Sequence, residues 1–77
     1  MNSLNNLKKG EISKIISIDN NLKIKKRLLD IGLNNNEKIE CVLINPSNNM
    51  KAYKIKNTVI ALRNTDSKYI KIGDMNE

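Results

Sequence analysis

The side chains that could carry chemistry in this sequence are few and widely spaced. The chain has one cysteine, Cys41, and no histidine. It therefore lacks the ligand sets that hold zinc or an iron–sulfur cluster, and it lacks an imidazole base to activate a nucleophile. Glu37 and Glu40 lie close in sequence, but three residues apart in an extended segment they point to opposite faces. The sequence predicts a protein that is not an enzyme and that holds no cofactor or metal.

Positive charge is the strongest chemical signal. Fourteen Lys and Arg against eight Asp and Glu give a formal net charge of +6. Such a surface attracts nucleic acid, anionic lipid or an acidic protein face. Modules that stack single-stranded bases need exposed aromatic rings, and this chain offers only Tyr53 and Tyr69. Lys, Asn and Ile are also the residues that an AT-rich genome over-uses, so composition alone is a competing explanation for the charge.

Four cations are the candidate binding residues: Lys23, Lys26, Arg27 and Arg63. The first three share the polar face of a predicted short helix, which is the densest set of cations on one ordered surface. Arg27 and Arg63 are the only arginines, and a planar guanidinium with five donors is hard to replace by lysine. Two alternatives stay open. The helix face could be merely solvated, and each arginine could bind a loop carbonyl or a carboxylate such as Asp30.

The elements that must position these residues are short. Period-two patterns predict strands at 11–18, 37–44, 51–56, 58–63 and 69–72. A period of 3.6 between residues 22 and 31 predicts one amphipathic helix, which begins after the capping residues 19–21 and ends at Gly32. Asn57 is expected to take a positive φ in the tight hairpin between the third and fourth strands.

The predicted core takes one face of each element, and Cys41 belongs to it as a small apolar side chain. Its expected members are Ile12, Ile16, Ile18, Leu28, Ile31, Leu33, Ile39, Cys41, Leu43, Ile55, Ile60, Leu62 and Ile70. Ile15 is expected on the opposite face of its strand.

Seventy-seven residues are enough for one core, and no linker interrupts them, so we expect a single domain over 1–77. Five short strands protect their edges best by curling into a small barrel, with the helix between the first and second strands closing one end. No apolar run is long enough to span a membrane, and the first residues lack the apolar centre of a signal peptide. A cytoplasmic location is expected.

The ordered motifs resemble the FeoA domain of bacterial ferrous-iron uptake systems over nearly the whole chain. The family's Leu-x-x-Leu-x-x-Gly is matched by Leu4, Leu7 and Gly10, and its Arg-Leu-x-x-x-Gly-Leu helix end by Arg27, Leu28, Gly32 and Leu33. The later half matches at Pro46, at the Asn57 hairpin and at Ala61-Leu62-Arg63. Asparagine replaces family glycines at Asn36, Asn48 and Asn57, which are positions where asparagine tolerates the same left-handed backbone. Met50 replaces a frequent proline.

The resemblance implies a mainly β, SH3-like small barrel of about five strands with one short helix. It also implies an accessory protein that binds and modulates FeoB, a membrane GTPase and ferrous-iron permease, through FeoB's cytoplasmic domain. The family is associated with transition-metal-ion binding, although this chain supplies no ligand cluster. We expect no nucleic-acid partner, and contact with the membrane only through FeoB. A nucleic-acid-binding barrel remains the alternative, and a homo-oligomer formed through an unpaired strand edge is possible.

Overall fold

A computed structural model describes residues 2–73 and places them in strands joined by tight turns. The elements in chain order are β1 (Asn2–Ser3), a 3-10 turn (Leu4–Asn6), β2 (Ile12–Ile18), α1 (Lys25–Asp30), β3 (Lys38–Ile44), β4 (Met50–Ile55), β5 (Thr58–Arg63), α2 (Asn64–Ser67) and β6 (Ile70–Gly73). The mainly β fold class is confirmed. Strand β1, the 3-10 turn and the single turn α2 were not predicted. Over the described residues, neither helix has the length and hydrophobicity needed to cross a membrane.

The six strands of the described residues form one antiparallel sheet in the order β1-β6-β2-β3-β4-β5. The two outermost strands of the sheet, β1 and β5, approach each other at one end. There, α2, which follows β5, contacts the 3-10 turn, which follows β1. The sheet therefore curls around its core, as the small number of strands demands. Within residues 2–73, β1 and β5 are the two edge strands.

Two side chains of β4 connect the curled sheet to its first turn. The Lys51 ammonium is buried and donates hydrogen bonds to the carbonyl oxygens of Asn5 at 2.6 Å and Leu7 at 3.0 Å. The Tyr53 hydroxyl donates to the carbonyl of Leu4 at 3.4 Å. These bonds give the carbonyls of the N-terminal turn partners on β4, so they hold that turn against the far side of the sheet.

Helix α1 is shorter than predicted at its start. Asp19 does not cap the helix: its carboxylate accepts the Asn21 N–H at 2.8 Å, and its carbonyl accepts the Leu22 N–H. This local turn satisfies the backbone before the helix begins at Lys25. The predicted end is confirmed, since Gly32 has φ +104 and its N–H donates to the Leu29 carbonyl.

Strand β2 contains a bulge that reverses the predicted faces. Ile15 pairs with Ile72 and Ser17 with Lys71, so Ile16 is an extra residue without a direct partner. An extra residue shifts the period-two alternation by one. Ile15 is fully buried and Ile12 is 52% exposed. The prediction that Ile12 and Ile16 lie in the core and Ile15 opposite them is therefore wrong, whereas that for Ile18 is confirmed.

A second bulge, in β3, moves Leu43 out of the core. Cys41 pairs with Tyr53 and Leu43 with Ala52, which leaves Val42 as the extra residue. Cys41 is fully buried, as predicted, but Leu43 is 57% exposed. The predicted alternation holds only up to the bulge.

The remaining core is mostly as expected. Eight predicted members are buried: Ile18, Leu28, Leu33, Ile39, Cys41, Ile55, Leu62 and Ile70. Ile60 is partly buried against this core, and Ile31 is 40% exposed, so the prediction for Ile31 is wrong. Six further residues of the described part of the chain belong to the core: Leu4, Leu7, Ile15, Leu22, Tyr53 and Ile72.

The asparagine turns largely follow the sequence interpretation. Asn36 and Asn48 have φ values of +73 and +57, in the left-handed region that asparagine tolerates. At the β4–β5 hairpin the prediction is wrong, because Lys56 takes the positive φ, +53, and Asn57 does not. The two-residue loop needs a left-handed residue at its first position, and register assigns that position to Lys56.

Candidate functional site

A groove of about 480 Å³ separates α1 from β5. The helix side contributes Ile24, Leu28 and Ile31, and the strand side contributes Ile60 and Leu62. Arg27, Arg63 and Asp66 also line it, together with Met50 and Ala61. The groove thus has apolar walls and a few charged groups, which is the usual composition of a site that binds another molecule.

The apolar wall is the helical stripe that the sequence predicts, but only part of it is closed off from solvent. Ile24, Leu28 and Ile31 are spaced i, i+4 and i+7, so they share one side of α1 and its two flanking residues. Leu28 is buried at the base, while Ile31, at the C-cap, remains 40% exposed. Ile31 is exposed because no described element covers this end of the stripe. The uncovered end forms part of the open groove.

The structure brings together the two arginines, which are far apart in sequence. Arg27 lies in α1 and Arg63 at the end of β5, and both side chains are exposed on the same groove. Among residues 2–73, neither guanidinium has a carboxylate within ion-pair distance. Of the described residues that line the groove, Asp66 is the one that is acidic. An incoming carboxylate could bind either arginine without first displacing an intramolecular ion pair with a described residue.

The other two predicted binding residues lie outside the groove. Lys23 and Lys26 are exposed, but neither lines the groove. Asn45 and Asn49 border an adjoining depression that shares Met50 and Arg63 with the groove. The loop residues 34–35 lie elsewhere, beside Lys25 and Leu29.

The groups with perturbed titration are in the core and are not in the groove. Burial raises the pKa of the Cys41 thiol above its ordinary value of 9.0, and the Lys51 ammonium opposes this shift only in part. Burial likewise raises the pKa of Tyr53 above 10.0, against a smaller opposing effect of the Ser67 hydroxyl. Both side chains are fully enclosed. A buried thiol with a raised pKa is a poor nucleophile, so the geometry supports the interpretation of Cys41 as a packing residue.

No metal centre is found among the described residues. Within positions 2–73, no three His, Cys, Asp or Glu side chains lie together in a group able to hold a metal ion. The groove offers cationic and apolar groups, and these suit an anionic or amphipathic ligand.

A comparison with protein-family models matches the FeoA domain over residues 2–73. The chain belongs to the FeoA domain family. A comparison with curated protein sequences found no match.

Solved structures agree with this FeoA domain at the level of the fold. The FeoA protein of Chlorobium tepidum superimposes with a TM-score of 0.87 at 19% identity, over 95% of this chain and 70% of that one. A FeoA-like protein of Clostridium acetobutylicum gives 0.85 at 21%, over 99% and 88%. The zinc-complexed FeoA of Stenotrophomonas maltophilia, described as a prokaryotic SH3 domain protein, gives 0.83 at 21%, over 95% and 91%. The FeoA domain described here has the same SH3-like fold.

Sequence reasoning found the two arginines but missed the groove that joins them. It assigned Ile31 and Ile60 to a closed core, since an apolar stripe looks the same whether it is covered or open. The position of β5 at the sheet edge, which opens the groove, depends on strand order. A signal was present in Arg63 as the last residue of an otherwise mostly apolar strand, but the sequence does not show that Arg27 lies on the same groove, because tertiary packing places it there.

Proposed function

We propose that this FeoA domain is a non-enzymatic accessory protein of a ferrous-iron uptake system. It binds the cytoplasmic GTPase part of a FeoB-type permease and modulates transport by protein contact. The observation that carries the proposal is the apolar groove on which Arg27 and Arg63 converge from separate elements. Family membership connects the chain to ferrous-iron transport, and the similar S. maltophilia protein is described as a proposed activating factor of that transport.

The composition of the groove favours a protein partner. Protein interfaces combine an apolar centre with a polar rim, and arginine is enriched among the residues that contribute most to binding. Here apolar walls lie beside two exposed guanidiniums. An acidic and apolar patch on the GTPase domain would complement both features. FeoB would also bring the protein to the cytoplasmic side of the membrane, where we place its function.

The experiment is a titration of the isolated FeoB GTPase domain with the wild-type protein and with Arg63→Lys, followed by calorimetry. Lysine keeps the charge and loses the planar fork, so binding should weaken by about tenfold if Arg63 pairs bidentately with a carboxylate. Lys9→Arg, in an exposed turn away from the groove, is the matched control and should bind as the wild type does.

The melting temperature separates the two roles considered for Arg63. Unchanged melting with weaker binding supports partner contact. Lower melting with unchanged binding would show that the guanidinium stabilises the fold and that the groove is not the docking surface. Absence of binding by the wild-type protein would refute the assignment to FeoB.

Nucleic-acid binding is the second candidate function, and the charge of +6 favours it. Counterion release makes such binding fall steeply as salt rises, with a log–log slope of about −0.9 per phosphate neutralised. An interface with an apolar centre depends on salt less. Titrating a short duplex and the GTPase domain at several salt concentrations discriminates the two, and we expect the duplex to bind only at low salt.

A further inference from the structure

The outer edge of β5 carries a regular set of backbone groups that no described strand uses. The loop Lys56–Asn57 makes Ile55 and Thr58 a directly hydrogen-bonded pair, and the β4–β5 register continues without a bulge. Hydrogen-bonded and non-hydrogen-bonded pairs alternate along an antiparallel ladder. The N–H and C=O groups of Thr58, Ile60 and Leu62 therefore point toward β4. Those of Val59 and Ala61, and the N–H of Arg63, point away from it, whereas the Arg63 carbonyl belongs to the N-cap of α2 and accepts the first hydrogen bond of that helix.

This free edge borders the groove. Val59, Ala61 and Arg63 are exposed, and Val59 is 59% accessible to solvent. Ile60 and Leu62 alternate with these residues along β5, and Ala61 and Arg63 line the groove together with them. An extended segment paired with β5 would therefore run along the groove, with alternate side chains next to Ile60 and Leu62 and the others beside Ala61 and Arg63.

We propose that the partner of this domain binds as an additional β-strand on the outer edge of β5. The occupant is an extended segment of the partner that alternates apolar and acidic residues. Its apolar side chains pack between Ile24, Ile31 and Ile60, and its carboxylates pair with Arg27 and Arg63. The identity of that partner as the FeoB GTPase domain rests on the proposed function, whereas the binding mode rests on the edge and the groove.

Charge decides the nature of the occupant. The two groove arginines add to an overall charge of +6, so a second copy of this chain would be repelled while an acidic segment would be attracted. Polyproline segments, which many SH3 domains bind, need a groove lined by aromatic rings. Here Tyr53 is fully buried, and Tyr69 does not line the groove.

Hydrogen exchange at single amides is the first test. In the free protein the amides of Thr58, Ile60 and Leu62 bond to β4, while those of Val59, Ala61 and Arg63 face solvent. On addition of the FeoB GTPase domain, the second set should slow in exchange by at least about tenfold, and the first set should change little. Binding that protects only α1, or that leaves the three edge amides unchanged, would overturn the strand mode while leaving the proposed function intact.

A backbone substitution is the second test. Val59→Pro removes the outward N–H, and proline is tolerated at such an edge position because the ladder to β4 does not use that group. Val59→Thr keeps the N–H and the shape of the side chain, and it is the control because Val59 does not line the groove. Loss of one interface hydrogen bond with a buried unpaired acceptor should weaken binding by about 10- to 100-fold for proline and by less than about threefold for threonine. Equal affinities for the two variants would contradict the proposal. If the proline variant does not fold, the hydrogen-exchange pattern of the wild-type protein tests the proposal instead.

A designed peptide separates the binding mode from the identity of the partner. The peptide Glu-Ile-Glu-Val-Glu-Ile-Glu has the proposed alternation, and Glu-Glu-Ile-Val-Ile-Glu-Glu has the same composition without it. Fluorescence anisotropy of labelled peptides should show tighter binding of the alternating one by about tenfold. That result without binding of the GTPase domain would reject the FeoB assignment alone. Equal affinity for both peptides would reject strand addition.

Self-association seen in sedimentation, with protection of the same amides, would instead identify a second copy as the occupant and overturn the acidic-segment proposal.

Discussion

Lys51 shows how a single charged side chain can stabilise this fold from inside. Its ammonium is buried and donates to two backbone carbonyls of the N-terminal turn. Replacement by methionine keeps the length of the side chain and leaves both carbonyls without their donor. Lys51→Met should lower the free energy of unfolding by about 1–3 kcal/mol.

The matched control for Lys51 is Lys54→Met, on the same strand but exposed. Because Lys54 is in solvent, this variant should remain within about 0.5 kcal/mol of the wild type. Urea denaturation of both variants measures the difference. Equal stabilities would show that the buried ammonium contributes nothing beyond its packing.

The two titrating groups of the core predict loss of stability in alkali. The pKa of Cys41 is raised above 9.0 and that of Tyr53 above 10.0 in the folded state. Each buried group keeps its proton at a pH where the unfolded chain loses it, so the unfolded state binds fewer protons and stability falls as pH rises. The decrease should begin near pH 9 for Cys41 and near pH 10 for Tyr53.

Tyr53→Phe isolates the second part of this pH dependence. The variant loses the weak bond to the Leu4 carbonyl, but it has no group to ionise. Its free energy of unfolding should therefore fall less between pH 10 and 11 than that of the wild type. Parallel pH profiles from urea denaturation would contradict the assignment of that decrease to Tyr53.

At the scale of elements, α1 depends on one buried side chain. Leu28 is 3% exposed, and its neighbour Leu29 is 39% exposed. Leu28→Ala should cost about 2–5 kcal/mol, because it removes buried methyl groups and leaves a cavity. Leu29→Ala is the control and should cost less than about 1 kcal/mol. Thermal melting of the two variants tests which helix face is the core face.

The end of α1 depends on the left-handed conformation of Gly32. The Gly32 N–H bonds to the Leu29 carbonyl and the Leu33 N–H to the Leu28 carbonyl, which is the Schellman arrangement. A Cβ at position 32 would meet nothing closer than the Lys56 ammonium at 3.9 Å, so Gly32→Ala costs conformational energy rather than a clash. We expect about 1–2 kcal/mol in urea denaturation. Asn36→Gly, at another positive φ, should be tolerated, since glycine adopts that conformation freely.

Elements also show where sequence reasoning succeeds and where it fails. Local signals determine the helix end at Gly32 and the turns at Asn36 and Asn48, because positive φ favours glycine and asparagine. The β4–β5 hairpin is an exception, since Lys56 takes the positive φ there. The faces of β2 and β3 could not be predicted, because a bulge shifts the alternation and nothing in Ile15, Ile16 or Val42 marks it. The groove depends on strand order, which places β5 at an edge through pairings between residues distant in sequence.

At the scale of the whole molecule, the charge of +6 acts on the approach of a partner before any contact forms. A surface of one sign steers an oppositely charged partner and raises the association rate, and salt screens this effect. The candidate residues Lys23 and Lys26 are exposed but outside the groove lining. Their expected contribution is therefore to the rate of association with the GTPase domain rather than to the lifetime of the complex.

The double variant Lys23→Glu with Lys26→Glu tests this expectation against a charge-matched control. Lys9→Glu with Lys71→Glu changes the net charge equally at exposed positions that do not line the groove. Stopped-flow association with the GTPase domain should slow by about tenfold for the first pair at low salt, with a dissociation rate close to that of the wild type. The control pair should slow it less, because Lys23 and Lys26 adjoin the groove-lining residues Ile24 and Arg27 in sequence and Lys9 and Lys71 adjoin none. Equal slowing by the two pairs would mean that total charge alone governs the approach and that the α1 side of the groove has no special part in it.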